Sequence, residues 1–434
     1  MRSLFQMIQK TYEMAERDGS RQVMSNVAFL SGLQAVSFFL PVIVIPYLFQ
    51  VIGPEKFGLI AFAQAFAVYF MILTDYAFNV SATKRVSLFQ DNKEMLREIF
   101  SSVMAAKILL LVLSILIFTA IVHFVPRFKN DVLLYTLSFG AVIGNALFPM
   151  WLFQGMEKMK YISRLKMLGE FIYAFAIVIL IRGPQDYLMV PAINSSVILL
   201  TGTLGFILVF VKMELSFNFP SLKHVRREIR AGRDVFMSIV AINAYTTTRV
   251  FVVGLLTTNT LTGFYSIAEK IAGIAQTFPL SSFSQAIFPR LSNIFHKNKA
   301  MAFKLMQEIQ LITVYISLIF LPLIFIAAPF IMRIVCGGDY PQAILALRLL
   351  IISIFFISAN AFRVQFLIVC GKTRSYARIH ITMALIGLPL LIALVDHFSY
   401  LGAAMATVMT EAGIFAITYV TVKKLQGKYC AKPQ

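Results

Sequence analysis

The chain has 434 residues, of which 59% are hydrophobic and only 14% charged, with a formal net charge of +19. A soluble domain carries about 25% charged residues, so this composition excludes an ordinary water-soluble fold and makes lipid the natural solvent. The positive excess does not indicate nucleic acid: the cations fall in short loops between apolar runs, with no Gly-rich nucleotide loop and no RNA-binding aromatic signature.

A membrane helix needs about 20 mostly apolar residues. In chain order, twelve runs meet that need: 26–50, 57–78, 99–123, 132–153, 168–182, 187–211, 235–256, 262–288, 309–332, 343–369, 379–396 and 401–422. The fifth is the weakest, ending at Arg182-Gly183-Pro184. The polar segment before the first run reads as an uncleaved cytoplasmic lead. Prolines interrupt the first run (Pro41, Pro46), the fourth (Pro149), the eighth (Pro279) and the ninth (Pro322, Pro329), each a place for a kink. Asn26, Gln34, Gln64, Asn79, Asn145, Asn243, Gln276 and Asn360 add polar atoms to the spans. Cys336, Cys370 and Cys430 are scattered, and neither they nor the five histidines have metal-ligand spacing, so no metal, cofactor or disulfide framework is expected.

Loop cations fix the expected orientation. Arg2, Lys10, Arg17 and Arg21, then Lys84 and Arg85, Lys158 and Lys160, Arg226 to Arg233, Arg290 and Lys297, Lys372 and Arg374, and Lys423 to Lys432 all fall on one side. The other side has Lys56, Arg127, Lys129, Arg182 and Arg333. Both termini are therefore expected in the cytoplasm. The longest basic loop, 212–234, divides the chain into 1–211 and 235–434, each with six predicted spans. At a fixed offset of 205 residues, FGLIAFAQAF (57–66) lies over TGFYSIAEKI (262–271), aligning Gly58 with Gly263 and Ala63 with Ala268. Further on, KRVS (84–87) lies over PRLS (289–292). Six is even, so such repeats would be parallel, related by an axis along the membrane normal. The expected fold is an all-α integral membrane protein with two six-helix lobes around a central cavity.

Charge inside a bilayer costs roughly 2.5–3.5 kcal/mol per residue on insertion scales and generally faces a wet cavity or a partner. Arg249 in span seven and Glu269 and Lys270 in span eight each lie some 10 Å below the outer surface at 1.5 Å per residue. Arg363 lies in span ten, Asp75 near the inner end of span two, and Glu411 in span twelve. Glu269 is close enough in the hairpin to neutralise Arg249, whereas Asp75 and Glu411 lie on distant spans. Lys107 and Arg348 are near span ends and are expected to snorkel. The excess of cations points to a cationic cavity for an anionic substrate. Arg249, Lys270 and Arg363 are the candidate ligands, since an Arg fork binds phosphate bidentately. Asp75 and Glu269 are candidates for coupling to H⁺ or Na⁺.

The stretch LPVIVIPYLFQVIGPEKFGLIAFAQAFAVYFMILTDYAFNVSATKRVS (40–87) resembles the start of the polysaccharide transporter family, with its proline-bearing first helix, a Gly-x-x-x-Phe-Gly-like turn (here IGPEKFG) and a Ser-Ala-x-x-Arg-like stretch (SATKRVS). TGFYSIAEKI, FPRLS (288–292), GGDYPQAILALRLL (337–350) and GKTRSY (371–376) follow in matching order. Such proteins belong to the multidrug/oligosaccharidyl-lipid/polysaccharide exporter superfamily, and the chain is most similar to its O-antigen flippases. The resemblance implies a non-enzymatic carrier of undecaprenyl-diphosphate-linked oligosaccharide, moving it from the inner to the outer leaflet of the bacterial inner membrane. It implies a central cationic cavity formed by spans one, two, seven and eight, with other polysaccharide-assembly proteins as further partners. The alternative is a cation-coupled multidrug exporter of the same superfamily, which would prefer an acidic cavity. A membrane polymerase or ligase would need a large outer loop, which the sequence does not provide.

Overall fold

The computed structural model describes residues 20–430, with side chains described from residue 40 except at 277–290, 292, 293, 296 and 428–430. The terminal cations Arg2, Lys10, Arg17 and Lys432 lie outside the described residues, as do the side chains of Arg21, Asn26, Gln34, Pro279, Arg290 and Lys428. All regular structure described is helical: α1 (Ser20–Asp75), α2 (Phe78–Leu88), α3 (Lys93–Phe124), α4 (Pro126–Lys129), α5 (Val132–Leu147), α6 (Met150–Gly155), α7 (Met159–Leu180), α8 (Met189–Met213), α9 (Leu222–Thr246), α10 (Thr248–Leu256), α11 (Asn259–Lys297), α12 (Lys299–Cys336), α13 (Pro341–Ser358), α14 (Ala361–Val369) and α15 (Thr373–Cys430). A 3₁₀ turn, Pro184–Leu188, precedes α8.

Seven helical stretches described are long and apolar enough to cross a membrane, or eight if the bent pair α9–α10 counts as one span. The molecule is a multi-pass membrane protein. Two stretches are far longer than one crossing needs. α1 contains Gly53 at φ 76°, a left-handed conformation open to glycine, followed by Pro54. Val44 and Leu48 before that point line one cavity together with Ile60 and Gln64 after it, so the chain doubles back there. α15 breaks at Ser399, φ 56°. The close approaches Gly402 to Leu394, Gly387 to Thr410 and Gly413 to Met383 share one antiparallel register about that break. Each long helix is thus a hairpin of two predicted spans.

The basic segments between the spans contain helix. The stretch 79–98 contains α2 and the start of α3, and span five begins earlier, at Met159. More than half of the 212–234 segment is helical, and from Leu222 it runs without interruption into span seven as α9. α9 packs against α2 and α3 as well as α15. Arg85 of α2 pairs with the buried Glu228 of α9, and Arg227 pairs with Glu98 of α3. Tyr76 stacks on Phe236 with ring centroids 4.3 Å apart.

At the opposite end the first-half and second-half helices meet backbone to backbone. A Cβ on Gly58 would lie 1.9 Å from the Asn259 carbonyl oxygen, and one on Gly263 would lie 2.0 Å from that of Pro54. The two glycines aligned by the 205-residue offset therefore face each other. Phe49, Phe264 and Tyr340 close an aromatic cluster beside them, with ring centroids 5.3–6.5 Å apart.

Candidate functional site

The site is built from broken helices. Span seven bends by 48° between Thr246 and Thr248. A break frees backbone groups that lipid cannot satisfy, so side chains must. Thr248 Oγ1 donates to the Asn243 carbonyl (3.2 Å) and Arg249 Nε donates to that of Tyr245 (3.0 Å). Tyr69 on the returning limb of α1 donates to Thr248 Oγ1 at 2.8 Å, pinning the break to the first half of the chain. Span ten is interrupted between Ser358 and Ala361 without so sharp a bend. There Gln310 of α12, only 2% exposed, donates to the Ser358 carbonyl (2.9 Å) and accepts from the Phe362 amide (3.2 Å). A third break follows Asp75, where Tyr76 and Ala77 adopt φ 41° and 61°. Pro149 accounts for a fourth, between α5 and α6. By contrast Pro41 and Pro46 stay inside α1, and Pro322 and Pro329 inside α12.

Three of the five predicted site residues sit at these breaks: Asp75 ends α1, Arg249 is the second residue of α10, and Arg363 is the third of α14. The structure does not gather the predicted cations into one cluster. Arg249 lies between two carboxylates, Nη1 3.8 Å from Glu269 and Nη2 3.8 Å from Glu411. The hairpin pairing with Glu269 that the sequence allowed is present. Glu411, read from sequence as distant from its partner, joins it because α15 returns past α10. Tyr265 donates to Glu269 Oε1 at 3.4 Å. The group Glu269–Arg249–Glu411 has one more carboxylate than guanidinium, so its local field is not the cationic one expected.

Lys270 follows Glu269 and points about 100° away around the helix. It is exposed, makes no ion pair among the described residues, and lines a cavity of about 210 Å³ with Gln64, Glu170, Tyr173 and Asn194 from the first half. Arg363 is half-buried, donates to the Ala359 carbonyl, and lies over the Phe415 and Tyr419 rings at 5.3 and 5.2 Å from their centroids. Asp75 accepts from Lys107 Nζ at 3.1 Å and from Asn145 Nδ2 at 3.0 Å. Lys107 is 1% exposed. The expectation that Lys107 snorkels is therefore corrected: its amine stays inside because Asp75 neutralises it there. Arg348 lies over the Phe325 ring, 5.2 Å from its centroid.

Sequence reasoning also passed over Glu170, although it falls within predicted span five. Now in α7, it lines both the Lys270 cavity and an adjoining one of about 320 Å³. The signal was available: a carboxylate inside a predicted span needs a partner or water.

Comparison with known proteins fits this geometry. The model of the family described as polysaccharide biosynthesis protein matches residues 23–295. A curated relative from Escherichia coli (strain K12), named "Putative O-antigen transporter", is 28% identical over 399 residues, covering 92% of this chain and 96% of its own length. Among solved structures, the lipid II flippase MurJ in its inward closed conformation superposes with a TM-score of 0.73 at 14% identity, over 92% of this chain and 87% of that one. An inward-facing MATE multidrug resistance transporter of the MOP superfamily gives 0.69 at 14% identity, over 90% and 95%. The helical arrangement is the one these transporters share.

Proposed function

Because the chain belongs to the polysaccharide biosynthesis protein family, we propose that it is a flippase for undecaprenyl-diphosphate-linked oligosaccharide. It moves an O-antigen repeat unit from the cytoplasmic to the periplasmic leaflet of the bacterial inner membrane by alternating access. It crosses the membrane twelve times, in lobes 1–211 and 235–434 joined by the basic segment 212–234, with both termini in the cytoplasm. It acts as a carrier, not an enzyme, and delivers its cargo to other polysaccharide-assembly proteins. The E. coli relative named for O-antigen transport and the fold shared with a lipid II flippase support this reading.

One observation carries it: Lys270 stands exposed in mid-helix and lines a cavity whose other described lining residues, largely apolar but including Gln64, Glu170 and Asn194, come from the first half of the chain. An ammonium kept unpaired at membrane depth is costly unless water or an anion reaches it. A diphosphate fits, with the sugars in the wet space and the polyprenyl chain in lipid. Arg363 and Arg249 are the further phosphate ligands, Arg249 once a carboxylate releases it. The surplus carboxylate of the Glu269–Arg249–Glu411 group suits a coupling H⁺ or Na⁺, with Asp75 as a second coupling residue. The membrane potential, negative inside, favours expulsion of an anion by about 2.3 kcal/mol per charge per 100 mV.

The test is Lys270→Ala in a strain that needs this gene for surface polysaccharide. Loss of polysaccharide at normal protein level is expected, with substantial recovery in Lys270→Arg, which restores the charge. Wild-type polysaccharide in Lys270→Ala would remove the site.

A further inference from the structure

The cavities on either side of Glu170 share Glu170, Tyr173 and Asn194 and so form one crevice. It runs along α7 and α8 from Lys166 and Asn145 to Lys270, among the described residues the one from the second half of the chain that lines it. Lys166 to Tyr173 alone spans about 10 Å along the helix. Its two parts, about 210 and 320 Å³, are in the range of small-ligand sites.

Much of its wall is apolar, from Val44, Leu48 and Ile60 at one end to Val197 and Ile198 at the other, with polar groups set into it. Gln64, Asn145 and Asn194 carry carboxamides, each both donor and acceptor, and come from three different helices. Asn145 is held by its amide to Asp75, which leaves its carbonyl oxygen for the crevice. Glu170 adds acceptors, Thr201 a hydroxyl and Tyr173 a ring face. An occupant must therefore cover apolar wall while offering donors and acceptors to the carboxamides and the hydroxyl. Neutral vicinal hydroxyl or acetamido groups match such a surface. An apolar tail would cover the wall but leave the Gln64 and Asn194 carboxamides unmatched.

We propose that this crevice is the sugar-recognition subsite. The saccharide nearest the diphosphate lies along α7 and α8 against Gln64, Asn145, Glu170 and Asn194, while Lys270 at its mouth holds the adjoining phosphate. Specificity for the glycan is then read in the first half of the chain and charge in the second. This assignment rests on the flippase reading above.

The test compares two probes on the full-length protein in nanodiscs. One is bare undecaprenyl diphosphate. The other is the lipid-linked repeat unit extracted from cells lacking the transporter. The wild type should prefer the glycosylated lipid at least tenfold. Asn194→Leu and Gln64→Leu should each cut that preference about fivefold to tenfold, the scale of one lost buried hydrogen bond. Their affinity for the bare lipid should be unchanged, which also certifies their folding. Lys270→Ala should weaken both probes equally. Should Asn194→Leu destabilise the protein, Asn194→Ala replaces it. Wild-type preference in folded crevice variants, with Lys270→Ala still weak, overturns the sugar subsite and leaves the flippase reading standing. Failure of the wild type to bind either lipid overturns both.

Discussion

A lysine amine with 1% exposure inside a helical bundle is tolerable only with a counter-charge, and Lys107 has one in Asp75 at 3.1 Å. Removing one partner of a buried pair generally costs about 3–5 kcal/mol, whereas replacing both with apolar groups is often near neutral. Asp75→Asn should therefore lower the melting temperature of the detergent-purified protein sharply, and Asp75→Asn with Lys107→Met should recover most of the loss. An unchanged melting temperature in the single variant would show that the pair contributes no stability. The double variant also separates two roles for Asp75. If it couples transport to an ion, the stable double variant should transport poorly and lose its pH response; if it only neutralises Lys107, transport should return with stability. The same reasoning applies to Arg249, whose two carboxylates would face each other without it.

Among the elements, the breaks in spans seven and ten matter most, and neither has a proline to explain it. Each is held by side chains that take over freed backbone groups. Gln310→Leu removes the partner of both the Ser358 carbonyl and the Phe362 amide. At about 1–3 kcal/mol for each buried group, the loss should be roughly 2–6 kcal/mol, read as a lowered unfolding midpoint. Gln310→Glu keeps the acceptor for Phe362 and should fall between. A Gln310→Leu protein as stable as wild type would mean that the break does not depend on it. These elements also mark how far the sequence could be read. The apolar runs were legible because lipid requires long hydrophobic stretches, and the returns at Gly53 and Ser399 fall between predicted spans. The spacing of Gly58 and Gly263 was legible too, since close helix approach needs glycine at both positions. The broken spans were not, because Thr247 and Asn360 carry no local signal that distinguishes a break from an ordinary polar residue. Nor was the pairing of Asp75 with Lys107 or of Arg249 with Glu411: hydropathy locates spans along the chain but not which spans are neighbours. Lys270 could be picked out as a mid-membrane charge, yet its separation from Arg249 depends on helix rotation, which needs coordinates.

For the whole molecule, the proposed alternating access requires the end sealed in this structure to come apart. The seal beside Gly58 and Gly263 is reinforced by Arg127 of α4. Its Nη2 donates to the Gly254 carbonyl at 2.9 Å and to Asn259 Oδ1 at 2.6 Å, and its guanidinium lies over the Phe62 ring, 5.3 Å from the centroid. Hydrogen bonds from a charged donor contribute about 1.5–3 kcal/mol each, and a cation–π contact about 0.5–1 kcal/mol. Some of this is offset by water when the end opens, so a net bias of about 2–3 kcal/mol toward the sealed state is reasonable, a population ratio on the order of 10². Arg127→Met keeps the length of the side chain but removes charge and donors. It should shift the molecule toward the state open at that end. Spin labels at Lys129→Cys and Thr257→Cys, in a background without the three native cysteines, report the distance across the seal. The wild type should give one short distance and Arg127→Met a second, longer population. Transport should fall in Arg127→Met if sealing is the slow step of the return and rise if opening limits the rate. An identical distance distribution in both proteins would mean that the glycine contact and the aromatic cluster hold the end shut without Arg127. The latch would then have to be sought at the Gln50 amide, which donates to the Ile334 and Val335 carbonyls at 2.9 and 3.1 Å.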